Sequence, residues 1–189
     1  MLPAHAVLVP VKAFGAAKGR LAGVLGTADR AALARSMAER VVAAAGAMPV
    51  WVACDDDDVA AWALAAGAQV VWSEGLDLNG SVALGLSTLR DVDGVGGIDA
   101  VVIAHGDLPL ATDLARVTWF RGGATVVPDR HDDGTNVLAV PLAVPLVPAY
   151  GPGSFPRHVA QLRGLGLDVR VARIPDLQWD VDVPEDLAT

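Results

Sequence analysis

The sequence predicts an α/β domain, and three observations carry that expectation. Short valine-rich runs alternate along the chain with alanine-rich segments of helical period, the order expected of a sheet covered by helices. Several of those runs are apolar at every position instead of every second one, as in strands buried on both faces. The 189 residues are 53% hydrophobic and 19% charged, so a chain of this length can bury about 70% of its unfolded surface. One domain over residues 1–189 is therefore expected.

Strands are expected at 6–11, 50–53, 69–72, 100–104, 125–128, 136–140 and 168–172. Thr27 is placed to cap a helix from Ala28 to about Ala45, with Gly46 as its stop. Asp55 is expected to cap a second helix, Ser81 and Thr112 to begin two more, and Ser154 to cap a fifth whose first turns hold Arg157 and His158. Gly94 to Gly97 reads as a turn before the 100–104 strand. The one long irregular segment is 141–156, PLAVPLVPAYGPGSFP, with five prolines; such segments inside a compact domain are usually binding loops.

Charge and composition narrow the function. Lys and Arg total 14 against 22 Asp and Glu, a net charge of -8, the wrong sign for gripping nucleic acid along a basic face. Any phosphate ligand must then be met by local chemistry. Cys54 is the single cysteine, which permits neither an internal disulfide nor a cysteine zinc cluster and fits a reducing cytosol. The apolar stretch 41–54 contains Gly46 and Pro49 and falls short of the roughly 20 residues that span a bilayer. With no export signal in the first residues, a cytoplasmic protein without membrane partners is expected. Nothing in the sequence reports oligomeric state.

Four constellations flank predicted strands, where ligands collect in open α/β sheets. VPVKAFGAAKGRL puts Lys12, Lys18 and Arg20 in a loop of small residues after the first strand. Small residues let a backbone approach phosphates closely, and the cations supply the charge an acidic chain otherwise lacks; the same loop also reads as a solvated surface segment. In VVIAHGDLPL, Asp107 stands just past an apolar strand. A carboxylate held at a strand end suits Mg²⁺, which takes one or two protein carboxylates and leaves its remaining positions to water and phosphate; the alternative is a turn cap. His105 beside it is a candidate acid or base, or a hydrogen-bonded structural histidine. In PDRHDDGTNVLAV and YGPGSFPRH, Gly134, Thr135, Gly151, Gly153 and Ser154 lead into a strand and a helix. Backbone N–H groups, a hydroxyl and a helix N-terminus form a phosphate cradle, a role compatible with simple capping. In WDVDVPEDL, Asp180 and Asp182 are two apart on a strand-like segment and so face one side, where they repel unless a cation lies between them. Glu185 and Asp186 at the following turn read as structural.

These pieces, together with LNGSVALGL, occur in the order seen in the phosphoenolpyruvate or 2-phospho-L-lactate guanylyltransferases of deazaflavin coenzyme F-420 biosynthesis, which the chain resembles nearly end to end. HGDLP and DVDVPEDL are shared by many nucleotidyltransferases of the GT-A-like, Rossmann-like fold, whereas DGTNVL with GPGSF is peculiar to this family. The resemblance implies a three-layer α/β/α fold with a mixed, mainly parallel sheet. It implies GMP transfer from GTP to the phosphate of a small phosphorylated three-carbon acid, with release of pyrophosphate. Lys12, Lys18 and Arg20 would hold the GTP phosphates and serve the reaction with Asp107; Asn79, Gly80 and Ser81 would lie near the nucleotide. Thr135, Gly151 and Ser154 would bind the acceptor's phosphate. Mg²⁺ would be held by Asp107 with Asp182, which directly precedes the VPEDL turn, or with Asp180. Gly19 departs from the Ser or Thr of many relatives, which removes a hydroxyl contact in that loop.

The chemistry agrees with what the sequence lacks. A phosphate monoester has its second pKa near 6, so the acceptor is already a dianion at neutral pH and needs no protein base. No Ser-His-Asp or Cys-His arrangement is required, and alignment with charge neutralisation suffices. A cytidylyl- or molybdopterin-type nucleotidyltransferase shares the Asp107 and Asp182 logic but leaves GPGSF unexplained. A non-catalytic nucleotide-binding regulator on the same scaffold leaves the two acidic sites and three cations unexplained. Of the two acceptors, the Ala- and Val-rich composition favours phosphoenolpyruvate by association with actinobacterial-type sources.

Overall fold

A computed structural model describes residues 4–118 and 122–187, with the side chains of 92–96 left aside. Its sheet follows the expected runs: β1 (His5–Pro10), β2 (Val50–Cys54), β3 (Gln69–Trp72), β4 (Ala100–Ala104), β5 (Ala124–Pro128), β6 (Thr135–Pro141) and β7 (Val169–Val171). Helices α1 (Thr27–Ala44), α2 (Asp57–Ala65), α3 (Leu78–Gly96), α4 (Ser154–Gly164) and the one-turn α5 (Pro175–Gln178) connect them. The strand order is β3-β2-β1-β4-β6-β5-β7. Strand β6 pairs antiparallel with both β4 and β5, while the β1–β2, β1–β4, β2–β3 and β5–β7 pairs are parallel. The sheet is thus mixed and mainly parallel, and one edge gathers the carboxyl ends of β1 to β5 with the start of β6.

Alternation of side chains along each strand divides the core into two layers. Val7, Val9, Val52 and Val102 face α1 and α2 through Ala34, Ala38, Val41, Val59 and Trp62. Leu8, Trp51, Val101 and Ile103 face the other way, onto Val82, Leu86 and Leu89 of α3 and Leu162 of α4. Both faces are covered, which is why the strands read as unbroken apolar runs. Helix α3 lies so close to β1 that a Cβ on Gly85 would stand 2.6 Å from the buried Leu8 side chain.

The helix starts differ from the sequence expectation by one to three residues. Gly26, in extended conformation, precedes α1, so Thr27 is its first helical residue and caps nothing with its side chain. Gly46 does end that helix, at φ +61. Asp56, not Asp55, caps α2 by accepting from the Val59 N–H. Helix α3 begins at Leu78, ahead of Ser81, with Asp77 accepting from the Gly80 N–H at 2.8 Å, and it runs through Gly94 to Gly96, leaving the turn to Gly97 at φ +67. The segment after Thr112 is a short 3-10 turn, Leu114–Val117, capped by Asp113. Helix α4 has Gly153 before it and no side-chain cap, so Ser154 is its first residue and its hydroxyl serves elsewhere. Asp180 and Asp182 lie in an irregular segment between α5 and a final 3-10 turn, Pro184–Leu187, not in a strand. Among the described residues no helix is long and apolar enough to cross a membrane.

Candidate active site

The loop after β1 is compact because it folds as two 3-10 turns, Phe14–Ala16 and Gly19–Leu21, joined at Lys18 in left-handed conformation, φ 56. That conformation is uncommon for a side chain with Cβ, and here it aims the ammonium inward. The Lys18 Nζ donates to Asp107 Oδ2 at 2.6 Å and to Asp182 Oδ1 at 3.1 Å. Arg20, 75% exposed, stands 3.8 Å from the other Asp182 oxygen. Lys12 is exposed and makes no ion pair among the described residues. The structure therefore inserts a cation between two carboxylates that have none near them in sequence.

Electrostatics follow this geometry. Burial works against the Lys18 charge, but the Asp107 and Asp182 carboxylates outweigh it and raise its pKa. Burial likewise opposes ionisation of Asp107, and Lys18, with a smaller effect from His105, holds the carboxyl below its ordinary range. Asp180 is pushed up by burial and by the nearby Asp107 and Asp182 charges. The 180–182 segment is brought to Asp107 by the Val181 N–H, which donates to the Asp107 carbonyl at 3.3 Å. Asn136 donates to Asp180 Oδ1 at 3.4 Å. Asp186 accepts from the Asp182 and Val183 N–H groups and from Arg130, the structural part expected of it. Burial opposes the Asp186 charge, and these bonds overcome it and keep the carboxyl below its ordinary range.

The residues present fit a hard divalent cation. Asp107 Oδ1 is buried and has no partner, a costly arrangement for a carboxylate oxygen unless a ligand completes it. Asp182 offers a second carboxylate across the Lys18 ammonium. Among the described residues no group of three or more His, Cys, Asp or Glu forms a metal cage; an ion that takes one or two carboxylates and finishes its shell with phosphate needs none.

Three adjoining cavities follow the sheet edge. One of about 250 Å³ lies over the ends of β1 and β2, lined by Lys12, Cys54, Asp55, Ser73 and Ser81. A second, of about 320 Å³, is lined by Lys12, Lys18, Gly106 and Asp107. The third, of about 540 Å³, is lined by Arg20, Asp107, Arg130, Thr135, Gly151, Ser154, Asp180 and Asp182. Leu78, His105 and Asp107 line both of the last two, so the metal-competent carboxylate stands where they meet. His105 is also here: its Nε2 is buried without a partner, and its ring packs 5.0 Å from Tyr150.

Of the expected site residues, Lys12, Lys18, Arg20, Asp107, Asp180 and Asp182 converge. The Asn79 amide accepts from the Tyr150 N–H at 2.7 Å and donates to the Tyr150 carbonyl at 3.3 Å. Gly80 sits in the same first turn of α3, and Ser81 alone of the three lines the 250 Å³ cavity. Thr135 and Ser154 are joined, the Thr135 N–H donating to Ser154 Oγ at 2.9 Å. Gly151 and Gly153 adopt φ +113 and +70, where glycine is favoured. Around them Arg157 donates to the carbonyls of Ala149, Gly151 and Pro152, and Asp133 accepts from the Gly153 N–H.

Sequence reasoning missed Asp129 and Arg130, although both lie in a quoted motif. Asp129 accepts from the N–H groups of His131, Asp133 and Gly134, and a Cβ at position 134 would meet its carboxylate at 2.8 Å. Arg130 pairs with Asp186, donates to the Asp180 carbonyl and lies 4.4 Å over the Trp179 ring. The PDR beginning at Pro128 was the available signal, but neither residue can be told from a solvated charge without its distant partner.

A mixed α/β sheet whose carboxyl edge carries cation- and hydroxyl-lined cavities about a lysine-bridged carboxylate pair has the arrangement of a nucleotidyltransferase. Solved structures share the architecture. A protein from Desulfovibrio desulfuricans G20 described as a nucleotide-diphospho-sugar transferase superposes with a TM-score of 0.76 at 19% identity, over 97% of this chain and 84% of the other. The 4-diphosphocytidyl-2C-methyl-D-erythritol synthase of Anaerococcus prevotii does so at 0.65 and 12%, over 98% and 93%. The guanylyl transferase CofC-like family model matches residues 5–189, and the chain belongs to that family. Two relatives named phosphoenolpyruvate guanylyltransferase are similar throughout. That of Sphaerobacter thermophilus is 36% identical over 95% of this chain and 89% of its own length. That of Rubrobacter xylanophilus is 37% identical over 96% and 90%.

Proposed function

We propose that the chain transfers GMP from GTP to the phosphate of phosphoenolpyruvate, releasing pyrophosphate, as a step of coenzyme F-420 biosynthesis. The meeting of two cavities at Asp107 carries this reading, because it leaves room for one phosphate-bearing substrate on each side of a single charged centre. The nucleoside would occupy the 250 Å³ cavity beside Ser81, with its phosphates running past Lys12 towards Lys18 and Arg20. The acceptor would occupy the 540 Å³ cavity, its phosphate against Thr135, Gly151 and Ser154.

An acceptor phosphate oxygen forms a bond to the α-phosphorus of GTP while the bond to the bridging oxygen breaks and pyrophosphate leaves. The acceptor is a dianion, so no side chain has to remove a proton. Lys12, Lys18 and Arg20 neutralise charge on the triphosphate and hold it in line with the acceptor. Mg²⁺ held by Asp107 and Asp182, with Asp180 adjacent, would neutralise the α-phosphate and the departing pyrophosphate. With the carboxylates so occupied, the Lys18 ammonium would be free to pair with the phosphates. We also assign the enzyme to the cytoplasm, in keeping with the unpaired Cys54.

Incubation with GTP and Mg²⁺ and either phosphoenolpyruvate or 2-phospho-L-lactate, followed by pyrophosphate assay and mass measurement of the product, tests this. Phosphoenolpyruvate with GTP should give a guanylylated product. Equal turnover with CTP, or no pyrophosphate with either acceptor, would overturn the proposal.

A further inference from the structure

His158 is the one fully buried histidine behind the acceptor cavity, on the second turn of α4. Its Nε2 lies 3.1 Å from the Ala149 backbone nitrogen. A backbone N–H can only donate, so Nε2 must accept, and the ring proton of the neutral imidazole is confined to Nδ1. Nδ1 is 3.0 Å from Thr135 Oγ1, which therefore accepts from it. The Thr135 hydroxyl keeps its own proton, and no acceptor for that proton is found among the described residues. Ser154 is in the same condition: its Oγ accepts from the Thr135 N–H at 2.9 Å, and its hydroxyl proton has no protein acceptor there. Both residues line the 540 Å³ cavity.

Resting on the acceptor assignment above, we propose that His158 is a positioning residue for the acceptor: its fixed tautomer points the Thr135 hydroxyl proton into the cavity, so Thr135 and Ser154 together present two O–H donors to an anionic oxygen. With the opposite tautomer, Nε2–H would face the Ala149 N–H, and Thr135 would have to donate inward to Nδ1. It would then show the cavity a lone pair, which repels phosphate. The surroundings keep the ring neutral. Tyr150 packs edge-on at 4.8 Å from one side, and burial, with smaller effects from the neighbouring His105 and Arg157, lowers the His158 pKa to about 4.

Two measurements test this. In protein carrying ¹⁵N-labelled histidine, the His158 signals, identified by their loss in His158→Asn, should report protonated Nδ1 and bare Nε2 at neutral pH; the reverse pattern overturns the proposal with no variant kinetics needed. In steady-state assays, His158→Gln, which keeps an acceptor for Ala149 but withdraws the donor from Thr135, should raise the acceptor KM about tenfold and leave the GTP KM unchanged. His158→Asn, which returns an N–H near the Nδ1 position, should recover part of that loss. Thr135→Val should raise the acceptor KM similarly, and adding His158→Gln to it should change little more. Additive effects in the double variant, or an equal rise in the GTP KM, would mean that His158 acts through packing and not through Thr135. Should Thr135→Val leave the acceptor KM unaltered, the acceptor assignment itself fails, whatever His158 does.

Discussion

The two halves of the proposed site are built on opposite plans. On the nucleotide side, the loop after β1 is held by its own short turns, and two of its three cations face solvent: Lys12 without an ion pair among the described residues and Arg20 mostly exposed. On the acceptor side the frame that carries the donors is already bonded. Asp129 gathers three N–H groups, Arg157 three carbonyls, Asn79 both backbone groups of Tyr150, and His158 joins Ala149 to Thr135. A triphosphate carries enough charge to be captured by exposed cations, and screening by salt then matters. A three-carbon acid offers few contacts, so its donors must be set in place beforehand. Lys18, Asp107 and Asp182 belong to both halves.

The sharpest way to break this comparison is at the shared centre. Asp107→Asn keeps the shape and leaves Asp182 to pair with Lys18, so the fold should persist while kcat falls about a thousandfold, the loss of a metal-centred effect worth several kcal/mol. Thermal stabilisation by Mg²⁺ with GTP should shrink in Asp107→Asn and in Asp182→Asn. Near-normal turnover of the Asp107 variant at low Mg²⁺ would remove the metal from the centre.

Asn79→Ala should injure the prearranged half. It leaves two Tyr150 backbone groups without partners, which costs about 2 kcal/mol and lowers Tm by roughly 5 °C. The acceptor KM should rise about tenfold with little change for GTP. A selective rise in the GTP KM would instead assign Asn79 to the nucleotide.

Lys12→Ala should show the contrasting behaviour. The GTP KM should rise roughly three- to tenfold with the acceptor KM and Tm unchanged, and the dependence of the GTP KM on added salt should flatten. If the salt dependence is untouched, Lys12 does not meet the triphosphate.

The smallest effect concerns pH. His158 has a folded pKa near 4, against 6.5 for the unmodified side chain. Between those values the unfolded chain binds the extra proton and the native protein does not. Stability from this group is therefore fully present above about pH 6.5 and declines as pH falls towards 4. Differential scanning calorimetry should find a slope of Tm with pH in that window that is reduced in His158→Asn.

Local rules identified the strands because burial on two faces leaves a mark at every residue, visible as the valine runs of β1, β2 and β4. Gly46 and the glycines at 151 and 153 were legible for a similar reason, since positive φ favours glycine over side chains with a Cβ. The caps slipped to Gly26, Asp56 and Gly153 because several neighbouring residues suit a cap, and only the path of the chain selects one. The candidate catalytic carboxylates could be named from their positions at strand ends and turns. That Lys18 lies between Asp107 and Asp182 could not, since the pairs are 89 and 164 residues apart. Nor could the sequence show that Ser154 serves Thr135 instead of its own helix, or which nitrogen of His158 carries the proton. The sequence by itself determined the α/β class, the strand positions and the kinds of residue available for phosphate and metal. Tertiary structure alone decided which of them meet and which donate, because a hydrogen bond's partner and direction depend on groups that only the reversed strand β6 and the loops at the sheet edge bring into reach.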